Sequence, residues 1–413
     1  MITLVKNIGS LIGIRAFNQL LRKEALADLA CIHQAYLILY DDRISEYGSM
    51  ADLPEDYSTY NDIIDANGQF VLPCWSDSHT HIVFAGSREN EFVDKIKGMT
   101  YADIAARGGG ILNSAERLSH ASEESLFESA MNRLNELIKL GTGSIEIKSG
   151  YGLSVDAELK MLRVIQRIKA ASEIPVKSTF LGAHSFPIKF KENHEGYISE
   201  IIDKMLPVIV EEGLADYIDV FCEKGFFSVQ DMERICEAGM KYGLKPKLHI
   251  NQLNSIGGIA SAVGMGAISV DHLETMTEED ISILASSNTI GTVLPTAAFF
   301  LRMPFQPARQ LIDSGVAVAL ASDYNPGSSP SGNMNFVVSL SCIQMKMLPE
   351  EAINAATLNA AYAMECENDL GSITKGKLAN LIFTKPLPSI AYLPYSFGSN
   401  LIERVMINGK FIV

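Results

Sequence analysis

From about residue 68 to 327 the chain repeats one pattern: a short apolar run that ends near a polar residue, then a longer stretch with helical spacing of its apolar positions. Eight such runs end near Trp75, Lys148, His184, Glu223, His249, His272, Pro295 and Asp323. Strands that alternate with helices pair in parallel, and eight of them close naturally into a barrel. The helix signal is clearest after Ser122, a candidate N-cap. There Leu126, Ala130, Leu134 and Leu137 share one face, and Gly141 stands just beyond the last turn. A second helix follows Ser154, with Leu162, Ile165 and Ile168 as its inward stripe.

The gap between the first two strands is longer than a crossover requires. It contains Arg107-Gly108-Gly109-Gly110, read as a mobile loop over the barrel mouth. No strand precedes these glycines in a GxGxxG context, which argues against a nucleotide loop. The ends differ from the middle: residues 1–67 and 361–413 carry short strand patterns such as Tyr36-Leu37-Ile38-Leu39-Tyr40 and Asn380-Leu381-Ile382-Phe383. The expected architecture is therefore α/β. A (β/α)8 TIM-like barrel occupies 68–360, and a small β-sandwich domain is built from both chain termini.

Composition narrows the function classes. With 49 acidic against 34 basic residues the net charge is −15, which repels polyanions and argues against nucleic acid. At 47% hydrophobic and 20% charged the chain has the material for a packed core. The uncharged run Ile281–Leu301 is long enough to suggest a membrane span, but Ser286, Ser287, Asn288, Thr289, Gly291 and Pro295 interrupt it. A buried helix followed by a buried strand fits better, with no membrane partner. Six cysteines without a CxxC pair and without a secretory signal point to reduced thiols in the cytoplasm.

The chemistry is concentrated at strand ends. In Ser76-Asp77-Ser78-His79-Thr80-His81 the two imidazoles lie two residues apart and share a face of an extended chain, as a chelating pair for a divalent metal would. By itself the pair fits exposed or structural histidines equally well. His184, His249, His272 and Asp323 close four further strands, so five of the eight histidines fall where a barrel places its active site. His33, His120 and His194 lie elsewhere and read as exposed or structural.

These strand ends sit in the strings SDSHTHIVFAGSREN, RGGGI, IEIKSGYGL, LGAHSFP, HINQLNSIGG, VDHLE and ASDYNPGSSPSGNM. Through them the sequence resembles the metal-dependent amidohydrolases over essentially its whole length. The resemblance implies one divalent metal, zinc or ferrous iron, held by His79, His81, His249 and Asp323. It makes Asp323 and His272 the general base and its partner. It assigns Arg88 to a substrate carboxylate, and Tyr151, His184, Gln252, Asn325, Gly327 and Ser328 to substrate or product, with Tyr101 and Tyr324 as weaker candidates. The simpler readings are a satisfied core histidine for His272, a structural imidazole for His184 and a plain Asn-Pro-Gly turn at Asn325.

One position departs from the simplest superfamily pattern, in which a glutamate three residues after the strand-five histidine shuttles protons. Here that residue is Gln252, which can hydrogen-bond a ring but not carry a proton. A second, bridging metal would need a carbamylated lysine or a glutamate from strand four. Lys148 ends strand two, so Glu223 is the only positional fit.

The implied activity is hydrolytic opening of an imidazolone ring bearing a propanoate arm, in histidine degradation, by a homodimer. The alternatives are deamination or ring opening of another small heterocycle, which would lack the carboxylate for Arg88, and a silent barrel used for binding.

Overall fold

The computed structural model describes residues 1–99 and 109–412. Tyr101, Arg107 and Gly108 lie outside the described residues. Eight parallel strands are hydrogen-bonded in sequence order: Trp75–Asp77, Thr142–Lys148, Val176–Ala183, Tyr217–Cys222, Lys245–Ile250, Ser269–His272, Ile290–Val293 and Val318–Leu320. Each ends within three residues of its expected position.

The barrel closes between its first and last strands. Thr80 and Tyr324 form a parallel bridge. The His81 amide donates to Tyr324 O at 2.9 Å and the Asp323 amide to His79 O at 3.0 Å. Below them the buried Asp77 carboxylate accepts from the Ser322 amide at 3.0 Å and from its hydroxyl at 2.6 Å.

The crossover helices follow the sequence pattern. Ser122 caps Glu123–Lys139 by accepting from the Ser125 amide, and the helix buries Leu126, Ala130, Leu134 and Leu137. Ser154 caps Val155–Ala171, which buries Leu162, Ile165 and Ile168. Gly141 takes φ 95°, and a β-carbon there would fall 2.6 Å from Ile382, where barrel and terminal sheet meet. The uncharged run resolves into the end of helix Glu278–Ala285, strand Ile290–Val293 and helix Pro295–Leu301. No described helix is long and apolar enough to cross a membrane.

Both chain ends contribute to one eight-stranded mixed sheet, continuous through hydrogen bonds, with its own small core that includes Val5, Ile8, Leu37, Val71, Leu381 and Phe383. Phe70–Pro73 belongs to this sheet, parallel to Ser10–Leu11 and antiparallel to Leu381–Phe383. Only Cys74 separates it from the first barrel strand, so the HxH segment hangs directly from the terminal sheet.

Residues two apart on a strand share a face, and in four barrel strands that face is charged or polar. Glu146 and Lys148, Asp219, Lys247 and His249, and Ser269 and Asp271 are all buried. Barrels ordinarily fill this space with branched apolar side chains. Charges in such a place are tolerated only when they pair with one another.

Candidate functional site

The expected strand-end residues converge. Ligating atoms of His79, His81 and His249 all lie within 4.8 Å of one another, as do those of His79, His272 and Asp323. Ring centroids of His79 and His249 are 4.4 Å apart, and those of His81 and His249 5.4 Å. Asp323 Oδ1 faces the pair from strand eight, 3.5 Å from His79 Nε2 and 3.7 Å from His81 Nε2.

Each imidazole is held from behind. His79 Nδ1 is 2.7 Å from Asp271 Oδ2, His249 Nδ1 is 2.8 Å from Asp219 Oδ2, and His81 Nδ1 is 3.4 Å from Ser149 O. These partners only accept, so Nδ1 carries the proton and Nε2 turns its lone pair inward. His79 Nε2 is fully buried and has no hydrogen-bond partner among the described residues. A buried acceptor left that way costs free energy that a divalent cation would recover, and three imidazoles with one carboxylate are a suitable donor set. Burial holds His79, His81 and His249 well below the usual imidazole range, in the neutral form a metal requires.

Asp323 and His272 behave differently. Burial pushes the Asp323 carboxyl up to about 6 against the pull of His272. At His272 burial acts downward, but Glu274, whose Oε1 is 3.4 Å from Nδ1, outweighs it and raises the imidazole above its ordinary value. Both residues have left-handed backbones, φ 91° at His272 and φ 52° at Asp323. Such conformations cost about 1–3 kcal/mol each in non-glycine residues and cluster at functional sites.

Beside the imidazoles lies a cavity of about 610 Å³ lined by all seven expected substrate residues, Arg88, Tyr151, His184, Gln252, Asn325, Gly327 and Ser328. Lys95, Phe221, Phe226, Leu253 and Met303 also line it, and the sequence reading missed them. Lys95 follows Arg88 by seven residues, two helical turns, and that spacing was the available signal. Tyr324 instead borders a neighbouring cavity with Phe84 and Arg133.

The cavity walls are fixed by buried hydrogen bonds. The Glu158 carboxylate accepts from the amides of Gly150, Gly152 and Leu153 at 3.1, 2.6 and 3.2 Å, setting the loop that carries Tyr151. His184 Nδ1 lies 3.1 Å from Gly150 O, and its ring stacks on His81 at 5.5 Å. Asn325 Oδ1 accepts from the amides of Gly327 and Ser328, both at 2.8 Å, so the turn role expected of it is real. Ser328 Oγ then donates to Asp323 Oδ2 at 3.2 Å. Arg88 donates through Nε and Nη2 to Glu91 Oε2 at 2.8 and 2.5 Å.

The two residues weighed for a second metal are already engaged. Glu223 accepts from the amides of Lys224 and Leu253, each at 2.8 Å, and so fixes the loop after Gln252. Lys148 Nζ sits between Glu146 Oε1 at 2.7 Å and Asp219 Oδ2 at 2.9 Å. His33, His120 and His194 are exposed, as expected.

Comparison with known proteins agrees with this geometry. The model of the amidohydrolase family matches residues 70–412. An imidazolonepropionase of Flavobacterium johnsoniae is 57% identical over 413 residues, covering 100% of both chains. One from Christiangramia forsetii is 52% identical over the same span, again covering 100% of both chains. Among solved structures, E. coli guanine deaminase superposes with a TM-score of 0.72 at 14% identity, covering 100% of this chain and 99% of its own. A zinc-bound adenosine deaminase from Xanthomonas campestris gives 0.69 at 15% identity, covering 99% of this chain and 92% of its own. At these identities the two structures speak for the fold alone.

Proposed function

The chain belongs to the amidohydrolase family and, within it, to the imidazolonepropionases, and on that premise we propose how its own residues share the work. It is a hydrolase of histidine degradation that opens a carbon–nitrogen bond of a cyclic amide, converting 4-imidazolone-5-propanoate to N-formimidoyl-L-glutamate.

His79, His81, His249 and Asp323 would hold one divalent ion. When bound, such an ion acidifies water to a pKa of ~7 and polarises a carbonyl oxygen. The orphaned Nε2 of His79 supports this assignment. Zinc and ferrous iron both suit the donor set.

Asp323 is the general base. Its Oδ1 faces the imidazoles while Ser328 holds Oδ2, so it can take the proton of the attacking water and return it to the departing ring nitrogen. His272, raised above its ordinary imidazole value by Glu274, is placed to donate to the oxyanion that develops on the ring carbonyl. Gln252 cannot shuttle a proton and instead hydrogen-bonds the ring. Arg88 meets the propanoate arm through the side of its guanidinium that Glu91 leaves open among the described residues. Tyr151 and His184 flank the ring, and Asn325, Gly327 and Ser328 border the product side. Six cysteines without a disulfide suit the reducing cytoplasm.

The observation that carries the reading is the convergence of imidazole and carboxylate ligand atoms beside a cavity lined by Arg88. The decisive experiment supplies 4-imidazolone-5-propanoate to the metal-loaded protein and looks for formimidoylglutamate. Turnover of uncharged rings such as guanine, with none of the imidazolone, would overturn it.

A further inference from the structure

Beneath the imidazoles lies a layer of five buried charges that the reaction does not use directly: Glu146 and Lys148 from strand two, Asp219 from strand four, Lys247 from strand five and Asp271 from strand six. Lys148 is its hub. Its ammonium lies 2.7 Å from Glu146 Oε1, 2.9 Å from Asp219 Oδ2 and 3.6 Å from Asp271 Oδ2. The same oxygens of Asp219 and Asp271 touch His249 Nδ1 and His79 Nδ1, at 2.8 and 2.7 Å. One cation therefore stands behind two ligand imidazoles that belong to different strands.

Lys247 sits in the same layer but serves it differently. Its Nζ reaches Glu146 Oε2 at 3.1 Å, Ser269 Oγ at 2.9 Å and Ala363 O at 3.0 Å, and none of these oxygens touches a histidine. The pair offers an internal contrast between a lysine in direct contact with the histidine-facing carboxylate oxygens and one that reaches Asp271 only through Ser269, on its other oxygen.

We propose that Lys148 is a positioning residue of the metal centre: its ammonium fixes the Asp219 and Asp271 carboxylates together, and through them aims the Nε2 atoms of His249 and His79 at one point. This rests on the assignment of His79, His81, His249 and Asp323 as the metal ligands. The physical reason is that each carboxylate has two oxygens and a freely turning end. Asp219 is also anchored by the His249 amide at 3.0 Å, and Asp271 by Ser269 Oγ at 2.6 Å. The oxygens that face the imidazoles are the ones Lys148 binds. With the ammonium gone, two like charges on the strands either side of strand five would lose the cation they share, and the His-facing oxygens would swing apart or protonate. Outer partners of this kind typically set metal affinity within a range of about 10–100-fold.

The test is metal binding by the full-length apoprotein. Zn2+ affinity is measured by competition with a chelator, the Co2+ derivative supplies its visible spectrum, and the melting temperature of each apoprotein is recorded. The expected result for Lys148→Met is about tenfold or greater loss of Zn2+ affinity with a changed Co2+ spectrum. Lys247→Met should stay within about threefold of wild type, whatever its melting temperature. Because Lys148→Met leaves the layer one positive charge short, the double variant Lys148→Met/Glu146→Gln is measured beside it. It keeps the layer's net charge and is expected to bind Zn2+ as weakly as the single variant.

Near-wild-type affinity and spectrum in either Lys148 variant, or an equal loss in Lys247→Met, would overturn the proposal. His249→Ala separates this from the ligand assignment. If wild type binds Zn2+ and His249→Ala does not, a null result at Lys148 condemns the positioning role alone. If His249→Ala binds like wild type, the ligand set is wrong and the proposal falls with it.

Discussion

Gly327 leaves no room for a β-carbon beneath Arg88, because such an atom would collide with Nη1 of the guanidinium. The strand-eight loop and the helix that starts at Glu89 are thus fitted to each other through a missing side chain. Arg88→Ala removes a charged hydrogen-bonding group worth about 1.5–3 kcal/mol, so KM should rise roughly 10- to 100-fold with a smaller change in kcat. Gly327→Ala should raise KM in the same sense by displacing that guanidinium. Steady-state kinetics on both variants check this, and an unchanged KM in a folded Arg88→Ala protein would remove Arg88 from substrate binding.

Metal removal should act on stability as well as turnover. The chelated apoprotein is expected to lose activity and to regain it with Zn2+ or Fe2+. A ligand present at a thousand times its Kd stabilises the native state by about 4 kcal/mol, so the holoprotein should melt measurably higher. Calorimetry that gives the same melting temperature with and without metal would contradict the site.

The Tyr151 loop depends on one buried carboxylate. Glu158→Ala would strip partners from three buried amides, each costing about 1–3 kcal/mol, so a loss of about 3 kcal/mol or more is expected in chemical denaturation. KM should rise as well, because Tyr151 loses its support. Equal stability of variant and wild type would show that the loop is held by other means.

Lys377 gives a pH signature away from the active site. Its ammonium donates to Leu370 O at 2.8 Å and Ser372 Oγ at 2.7 Å, and burial lowers it to about 8. Between pH 8 and its ordinary value the unfolded chain binds the extra proton and the folded chain does not, so stability rises with pH across that window, by at most about 3 kcal/mol. Below pH 8 both states are protonated and the contribution is flat. Denaturation of wild type and Lys377→Met from pH 7 to 10.5 should show a free-energy difference that grows in favour of wild type. A constant difference would contradict the shift.

Much of the fold and part of the site could be read from the chain. Strand ends at His249 or His272 are legible because a polar residue closing an apolar run breaks a pattern that extends over few residues. The five expected ligand and base residues lie together, since barrel topology alone brings strand ends to one mouth. The layer beneath was not read, for a physical reason: an ion in a barrel interior looks, in sequence, like the solvent face of a strand. Asp219 within the buried strand Tyr217–Cys222 was a usable signal, because an acid inside an otherwise apolar run needs a buried partner. Which partner it takes is decided across strands, and Lys148 lies 71 residues away. Lys95 was missed because its seven-residue spacing from Arg88 puts the two on one helix face without saying whether that face meets cavity or solvent.

The seam between the first and last barrel strands joins the proposed metal ligands to the folding of the barrel. His79 pairs through its carbonyl with the Asp323 amide, and the same two side chains face one another across the centre. Residues 244 positions apart must meet before either the last backbone pairing or the ligand set exists, and long-range pairing of that kind is slow because the loop-closure entropy is lost before any contact compensates. An ion held by the proposed ligands would tie strand one to strand eight, a pairing that forms after most of the barrel, and so would slow unfolding more than it speeds folding.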